Sequence, residues 1–230
     1  VVQLPFENRI EAGRLLARLM MARRRVAREL SARSNIDPQG DTVVLALARG
    51  GVPVGFEVAD RLRLPLDVII VRKAGVPWQP ELAMGAITSQ VRILDDGMIR
   101  QLGISDDEVE EIVAREQAET SRREELYRGG RPALDLRGRL AILVDDGLAT
   151  GSTMLAAVRH VRRLEPAGVI VAVPVGSRGA CDRVRPTADD LVCLATPDNF
   201  FAVGEWYRDF EQIADAEVQR LLAESRRHGS

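Results

Sequence analysis

The chain has 230 residues, 46% hydrophobic and 29% charged, which is enough apolar material for the core of one large domain and too much for a disordered or collagen-like chain. Its 32 basic and 34 acidic residues leave a formal charge of −2, so no global positive field draws it to DNA, RNA or an acidic membrane surface. No apolar run reaches the roughly 18 residues of a membrane span, and the opening Val1-Val2-Gln3-Leu4-Pro5 lacks a signal-peptide core. Cys181 and Cys193 fit neither a zinc pattern nor a disulfide framework, so a reducing, cytoplasmic setting is expected.

From Asn8 to about Leu30, apolar residues recur at helical spacing (Ile10, Leu15, Leu16, Leu19, Met20, Val26), and Asn8 with Glu11 has the spacing of a capping box. The many arginines of this amphipathic helix are interleaved with acids, which favours a solvated face over a phosphate-binding one. Short aliphatic runs then follow at Thr42–Ala48, Leu66–Val71, Leu140–Val144, Val169–Val175 and Leu191–Leu194. They do not alternate, as expected of strands buried on both faces of a parallel sheet. Helical stretches lie between them at Pro53–Leu62, Asp106–Tyr127 (opened by Ser105 and Glu108), Ser152–Leu164 and after Ser177. The pattern predicts an α/β fold, a Rossmann-like parallel sheet of about five strands with helices on both faces.

Two stretches stand outside this alternation. Glu81–Leu94 has two short apolar stretches around Ser89-Gln90 and reads as a two-stranded ribbon. The tail after Pro197 gathers Phe200, Phe201, Trp206, Tyr207 and Phe210, either as packed core or as a platform for a planar ligand.

Ligands of open parallel α/β sheets bind at the carboxyl ends of the strands, and three of those ends are chemically distinctive. After the first strand, Ala48-Arg49-Gly50-Gly51-Val52-Pro53 is a glycine turn able to approach an anion, with an arginine attached. After the second come Arg72 and Lys73, the latter the chain's single lysine. An ammonium is a compact charge that a guanidinium fork does not duplicate, although a surface pair would look the same. After the third, Asp145-Asp146 precede Gly147-Leu148-Ala149-Thr150-Gly151-Ser152-Thr153, a run of mostly small and hydroxylated residues opening a helix. Free amides and hydroxyls there form a phosphate cup, and a carboxylate pair beside it suits sugar hydroxyls or a metal, so the combination fits a ribose 5-phosphate. No Gly-Lys-Ser/Thr follows the cup and Gly50–Gly55 does not read Gly-x-Gly-x-x-Gly, which disfavours nucleoside triphosphatases and dinucleotide folds. His160 and His228 lie in a helix and in the tail, away from these ends.

Segment 141–153 resembles the phosphoribosyl pyrophosphate (PRPP) signature of type I phosphoribosyltransferases, and the order of the other parts agrees over about residues 41–200. Arg49-Gly50-Gly51, Arg72-Lys73 and Pro80-Glu81-Leu82-Ala83-Met84-Gly85-Ala86 are most similar to a group of these enzymes whose acceptor is not established. The resemblance implies one domain over 1–230, with a core of about 41–200, a flexible loop of about 75–93 and a hood from about 1–30 and 197–230. It further implies that Ala48, Arg49, Gly50 and Gly51 bind pyrophosphate with a cis peptide before Arg49, joined by Arg72 and Lys73. Gly147 to Thr153 would hold the 5-phosphate, and Asp145 and Asp146 the ribose hydroxyls. Mg²⁺ would be bound mainly through PRPP, with Asp145 or Asp146 as the candidate protein ligands. Glu81 is the nearest loop-borne acid/base, or a solvated carboxylate, and Phe200 or Phe201 would stack on a base.

The implied activity is transfer of the 5-phosphoribosyl group from PRPP to a nitrogen acceptor, a nucleobase first of all, with release of pyrophosphate. Hypoxanthine-type members carry an aspartate where this chain has Ala149, which argues against that specificity. The expected partners are PRPP, a small-molecule acceptor and a second copy in a homodimer, without nucleic acid or membrane. The alternatives are a PRPP-sensing regulator without catalysis, or a PRPP-binding module of a longer polypeptide.

Overall fold

The computed structural model describes residues 3–22, 37 and 41–228. Along the chain lie α1 (Arg9–Ala22), β1 (Thr42–Ala48), α2 (Gly51–Leu62), β2 (Leu66–Ile70), β3 (Arg72–Val76), β4 (Gln79–Ile87), β5 (Arg92–Leu94), α3 (Asp96–Leu102) and α4 (Asp106–Arg128). Then follow β6 (Leu140–Val144), α5 (Ser152–Arg163), β7 (Gly168–Val175), α6 (Arg178–Val184), β8 (Asp190–Ala195) and α7 (Asp215–His228). The expected first helix is present to Ala22, and its continuation over 23–30 falls outside the described residues.

The predicted strands form one parallel sheet in the order β2-β1-β6-β7-β8. One face packs on α1, α2 and α7 through residues such as Val44, Ala46, Val54, Val58 and Leu222, the other on α5 and α6 through Leu45, Leu143, Met154, Val158 and Val184. Two buried faces explain why the strands read as continuous apolar runs. Asn8 caps α1, its Oδ1 accepting from Glu11 N at 3.0 Å, but the Glu11 carboxylate turns to Glu7 N instead of closing the box. Ser105 and Glu108 do form the reciprocal box at the start of α4.

The ribbon differs from its sequence reading. It has three antiparallel strands, β3-β4-β5, and begins at Arg72, because Arg-Lys-Ala-Gly-Val hides a strand whose inward residues are only Ala74 and Val76. Val109, Ile112 and Val113 of α4 pack on Ala74, Val76, Met84 and Ile87, so the base of the ribbon carries a core of its own. The turn at its far end is exposed, with Trp78 at 60%.

The two terminal segments meet. Phe6 N donates to Trp206 O, Arg208 N to Phe6 O and Asp209 N to Glu7 O, at 2.8, 2.8 and 3.0 Å. The rings of Phe6 and Tyr207 lie 5.4 Å apart, and those of Tyr207 and Phe210 5.1 Å apart. The tail aromatics therefore weld the ends of the chain together beside β7 and β8.

Candidate functional site

The strand order reverses between β1 and β6, where successive crossovers leave in opposite directions and the carboxyl ends of two adjacent strands open a crevice. A crevice of about 370 Å³ lies there, lined by Arg9, Ala48, Arg49, Gly50, Asp145, Asp146, Thr153, Phe210 and neighbours. A larger cavity of about 730 Å³ shares Ala48 with it and runs beneath the ribbon past Arg72, Lys73, Pro77, Pro80, Glu116 and Arg123. Three strand ends singled out by sequence thus converge on two adjoining spaces.

The turn after β1 and the carboxylates after β6 are in van der Waals contact. The Ala48-Arg49 peptide is cis. A Cβ on Gly50 would stand 2.2 Å from Asp146 Oδ2, and one on Gly51 2.7 Å from the Val144 carbonyl, so both positions require glycine for close approach. Arg49 Nη1 reaches Asp215 Oδ1 of α7 at 3.5 Å, and that oxygen also accepts from Tyr127 Oη at 2.6 Å.

Asp145 and Asp146 are half-buried, the Asp146 side chain 14% exposed, because the tail and α1 fold over them. Asp146 Oδ2 accepts from Arg9 Nε at 2.9 Å, and its carbonyl accepts from Tyr207 Oη at 2.6 Å. Asp145 Oδ1 accepts from Asp146 N at 2.9 Å. Burial, then the neighbouring Asp146 carboxylate, pushes the Asp145 carboxyl well above the ordinary range. Burial also raises Asp146, against the pull of Arg9. Burial and the Asp146 charge push the Tyr207 hydroxyl upward, leaving it a donor.

The loop from Gly147 to Thr153 is pinned from behind and open in front. Leu148 N donates to Val175 O, Ser177 N to Leu148 O and Ser177 Oγ to Ala149 O, at 2.9, 2.9 and 2.8 Å. Gly151 caps α5 at φ 81° and has no side chain to bond the first amides of this 12-residue helix, of which Ser152 N donates to Thr150 Oγ1 at a long 3.4 Å. Thr150 and Ser152 are exposed and share a hydrogen bond, while Thr153 lines the crevice.

The remaining sequence candidates divide. Arg72 is not a free cation: its guanidinium pairs with the buried Glu116 of α4, which also binds Arg115 at 3.1 Å. Lys73 is exposed and lines the larger cavity. Glu81 lies in β4, and its side chain is outside the described residues. Phe201 is 81% exposed, whereas Phe200 stacks on Trp206 at 5.9 Å. The aromatic residue lining the crevice is Phe210, not Phe200 or Phe201. Sequence reasoning passed over Arg9, Glu116, Tyr207, Phe210 and Asp215. Of these only Tyr207 and Phe210 carried a signal, through the aromatic cluster, since Arg9 is one arginine among many and lies 137 positions from its partner.

Two half-buried carboxylates and a glycine-capped helix start meet at the switch point of a parallel sheet, the architecture of an open α/β protein whose crevice lies at the strand ends. The model of the phosphoribosyl transferase domain matches residues 17–211, and the chain belongs to that family. Its relative in Mycobacterium tuberculosis H37Rv, which bears the name "Putative phosphoribosyl transferase Rv0571c", is 44% identical over 223 residues, covering 96% of this chain and 47% of the relative. MT0597 of strain CDC 1551 gives the same figures. The chain spans about half the length of these curated relatives. The crystal structure of TT1426 from Thermus thermophilus matches with a TM-score of 0.73 and 39% identity, over 96% of this chain and 99% of that one.

Proposed function

We propose that the chain binds PRPP and transfers its 5-phosphoribosyl group to a nitrogen nucleophile, releasing pyrophosphate. The observation that carries this reading is the contact of the Ala48–Gly51 turn with Asp145 and Asp146, beside the uncapped start of α5. In this reading Gly147 to Thr153 hold the 5-phosphate through backbone amides and hydroxyls. Asp145 and Asp146 take the ribose hydroxyls. The turn, with Arg49, and Lys73 face the pyrophosphate, while Arg72, already paired with Glu116, buttresses the ribbon there.

The bond from C1 to the pyrophosphate oxygen breaks as a bond from the acceptor nitrogen to C1 forms. Negative charge gathers on the leaving group, where Arg49 and Lys73 stabilise it more as it grows. Glu81 is the loop-borne candidate to take the proton lost by the acceptor. The ribbon would exclude water from the reactive sugar. Asp145 and Asp146 offer the hard oxygen donors that suit Mg²⁺, and among the described residues no group of three His, Cys, Asp or Glu side chains forms an all-protein cage. Such an ion would take its remaining ligands from PRPP and water, and when bound it would supply positive charge to the leaving pyrophosphate.

The acceptor is proposed to be a nucleobase, of a type that does not require an aspartate at Ala149. A homodimer and a cytoplasmic setting complete the reading; no helix of the described residues is long and apolar enough to cross a membrane.

A second reading keeps the PRPP site without turnover, as a sensor or a module of a longer polypeptide. It is favoured by the engagement of Asp146 by Arg9 and of Arg49 by Asp215 within this chain. Calorimetric titration with PRPP, with and without Mg²⁺, tests the donor site, with ribose 5-phosphate and pyrophosphate as controls. Metal-dependent binding of PRPP is expected, and pyrophosphate release on adding bases or amines separates the first reading from the second. Absence of binding to any of the three ligands overturns both.

A further inference from the structure

Arg9 is the first residue of α1, where an arginine ordinarily extends into solvent, yet its side chain is only 9% exposed. Its head group is committed on three sides. Nε donates to Asp146 Oδ2 at 2.9 Å, Nη1 donates to the Glu211 carbonyl at 2.9 Å, and Cζ lies 3.8 Å from the centre of the Phe210 ring. A guanidinium bonded along its edge and stacked on its face has one available orientation.

Asp146 is correspondingly gripped at both ends. Arg9 holds its carboxylate, and Tyr207 holds its carbonyl. The adjacent Asp145 has no cationic partner among the described residues: its Oδ1 receives the amide of Asp146. The grip comes from residues at both ends of the chain, and those ends are bonded to each other through Phe6, Glu7 and residues 206–209. The sheet alone therefore does not fix the orientation of the Asp146 carboxylate; the joined terminal segments do.

We propose that Arg9 is the positioning residue of the sugar site. Clamped by Phe210 and the Glu211 carbonyl, it sets the direction in which Asp146 meets a ribose hydroxyl, so sugar recognition depends on the joined terminal segments. The inference rests on the PRPP reading above. Arg9 shares its crevice with Asp146 and the Ala48–Gly50 turn but hydrogen-bonds only to Asp146 and Glu211 among the described residues, and it does not line the cavity of Arg72 and Lys73.

The test uses Arg9→Gln, which keeps hydrogen-bonding capacity and removes the charge. Phe210→Leu serves as a second variant, leaving the ion pair intact and removing the ring that orients it. Both are titrated with ribose 5-phosphate and, separately, with pyrophosphate, each with Mg²⁺. The Arg9 variant is expected to bind ribose 5-phosphate about tenfold more weakly, as for loss of a charged hydrogen bond, with pyrophosphate changed by less than about twofold. Phe210→Leu is expected to move the same ratio in the same direction by a smaller factor. Equal weakening of both ligands, or no change in either, overturns the inference while leaving the PRPP site standing. Failure of the unmodified protein to bind ribose 5-phosphate, pyrophosphate or PRPP overturns the PRPP reading itself and this inference with it.

Discussion

The Tyr127 hydroxyl donates to Asp215 Oδ1 at 2.6 Å, and the same oxygen faces Arg49 Nη1 at 3.5 Å, so α4, α7 and the turn after β1 meet at one carboxylate. Tyr127 is 2% exposed, and burial together with Asp215 pushes its hydroxyl up to about 12, so it remains a donor at neutral pH. Asp215 is a competing anion close to where pyrophosphate is proposed to bind. Asp215→Asn removes that competition while retaining an oxygen for Tyr127. Pyrophosphate affinity is expected to rise roughly threefold at low salt, and the gain should shrink as ionic strength increases. Titrations at two salt concentrations check this, and weaker binding in the variant would mean that Asp215 orients Arg49 rather than competing for it.

Asp145 and Asp146 are adjacent in sequence but unequal in partners, and their asparagine variants should separate. Asp146→Asn leaves the buried Arg9 guanidinium without its anion, and the expected loss of unfolding free energy is about 3 kcal/mol. Asp145→Asn removes a carboxyl that has no cationic partner among the described residues and relieves its repulsion with Asp146, so stability should stay level or increase. Both variants should lose Mg-dependent PRPP binding. Urea denaturation and calorimetry on the two single variants measure the two effects independently, and equal stability losses would refute the asymmetry.

The sheet was legible because strands buried on two faces must be apolar throughout, and the Val144–Thr153 segment because its carboxylates, glycines and hydroxyls are consecutive. The helices α3 and α7 were missed for a different reason. The first has seven residues between the Asp95 cap and Gly103, and the second shows little more than Val218, Leu221 and Leu222 among charges. The terminal-segment side of the site was also hidden, since Arg9 and Tyr207 reach Asp146, and Phe210 reaches Arg9, only through tertiary pairing of distant segments. Glu116 looked like one charge on a polar helix, and only the packing of α4 against β3 shows that it takes Arg72 out of the free cations. Local chemistry was readable, while partners distant in sequence were not.

Lys73 is exposed, lines the larger cavity and is the chain's single lysine. A compact ammonium on a flexible stem concentrates charge in a way that a planar guanidinium does not. Lys73→Arg is therefore expected to weaken pyrophosphate binding about threefold to tenfold despite the retained charge. Lys73→Gln should weaken it further, with melting temperature unaltered in both because the side chain is exposed. Pyrophosphate titrations on the two variants check the order, and equal affinities across all three proteins would assign Lys73 to the surface.

His160 connects the ribbon to α5, its Nδ1 sharing a hydrogen bond with the fully buried Thr88 hydroxyl at 2.7 Å, and Thr88 Oγ1 accepts from Val91 N at 2.9 Å. Burial, reinforced by Arg128 and Arg163, lowers the imidazole to about 4 from its ordinary 6.5. A histidine depressed in the folded state binds fewer protons there than in the unfolded chain, so stability falls as pH drops below the unfolded value and levels off near the folded one. Between about pH 7.5 and about pH 5 this single group should cost about 2 kcal/mol of unfolding free energy. His160→Gln has no such titration, and the difference between its unfolding free energies at those two pH values should be smaller by about that amount, whatever the variant loses outright. Urea denaturation of both proteins at the two pH values isolates the contribution, because Asp145 and Asp146 titrate in both and cancel in the comparison. An unchanged pH dependence in the variant would show that the imidazole binds its proton equally in the folded and unfolded chains.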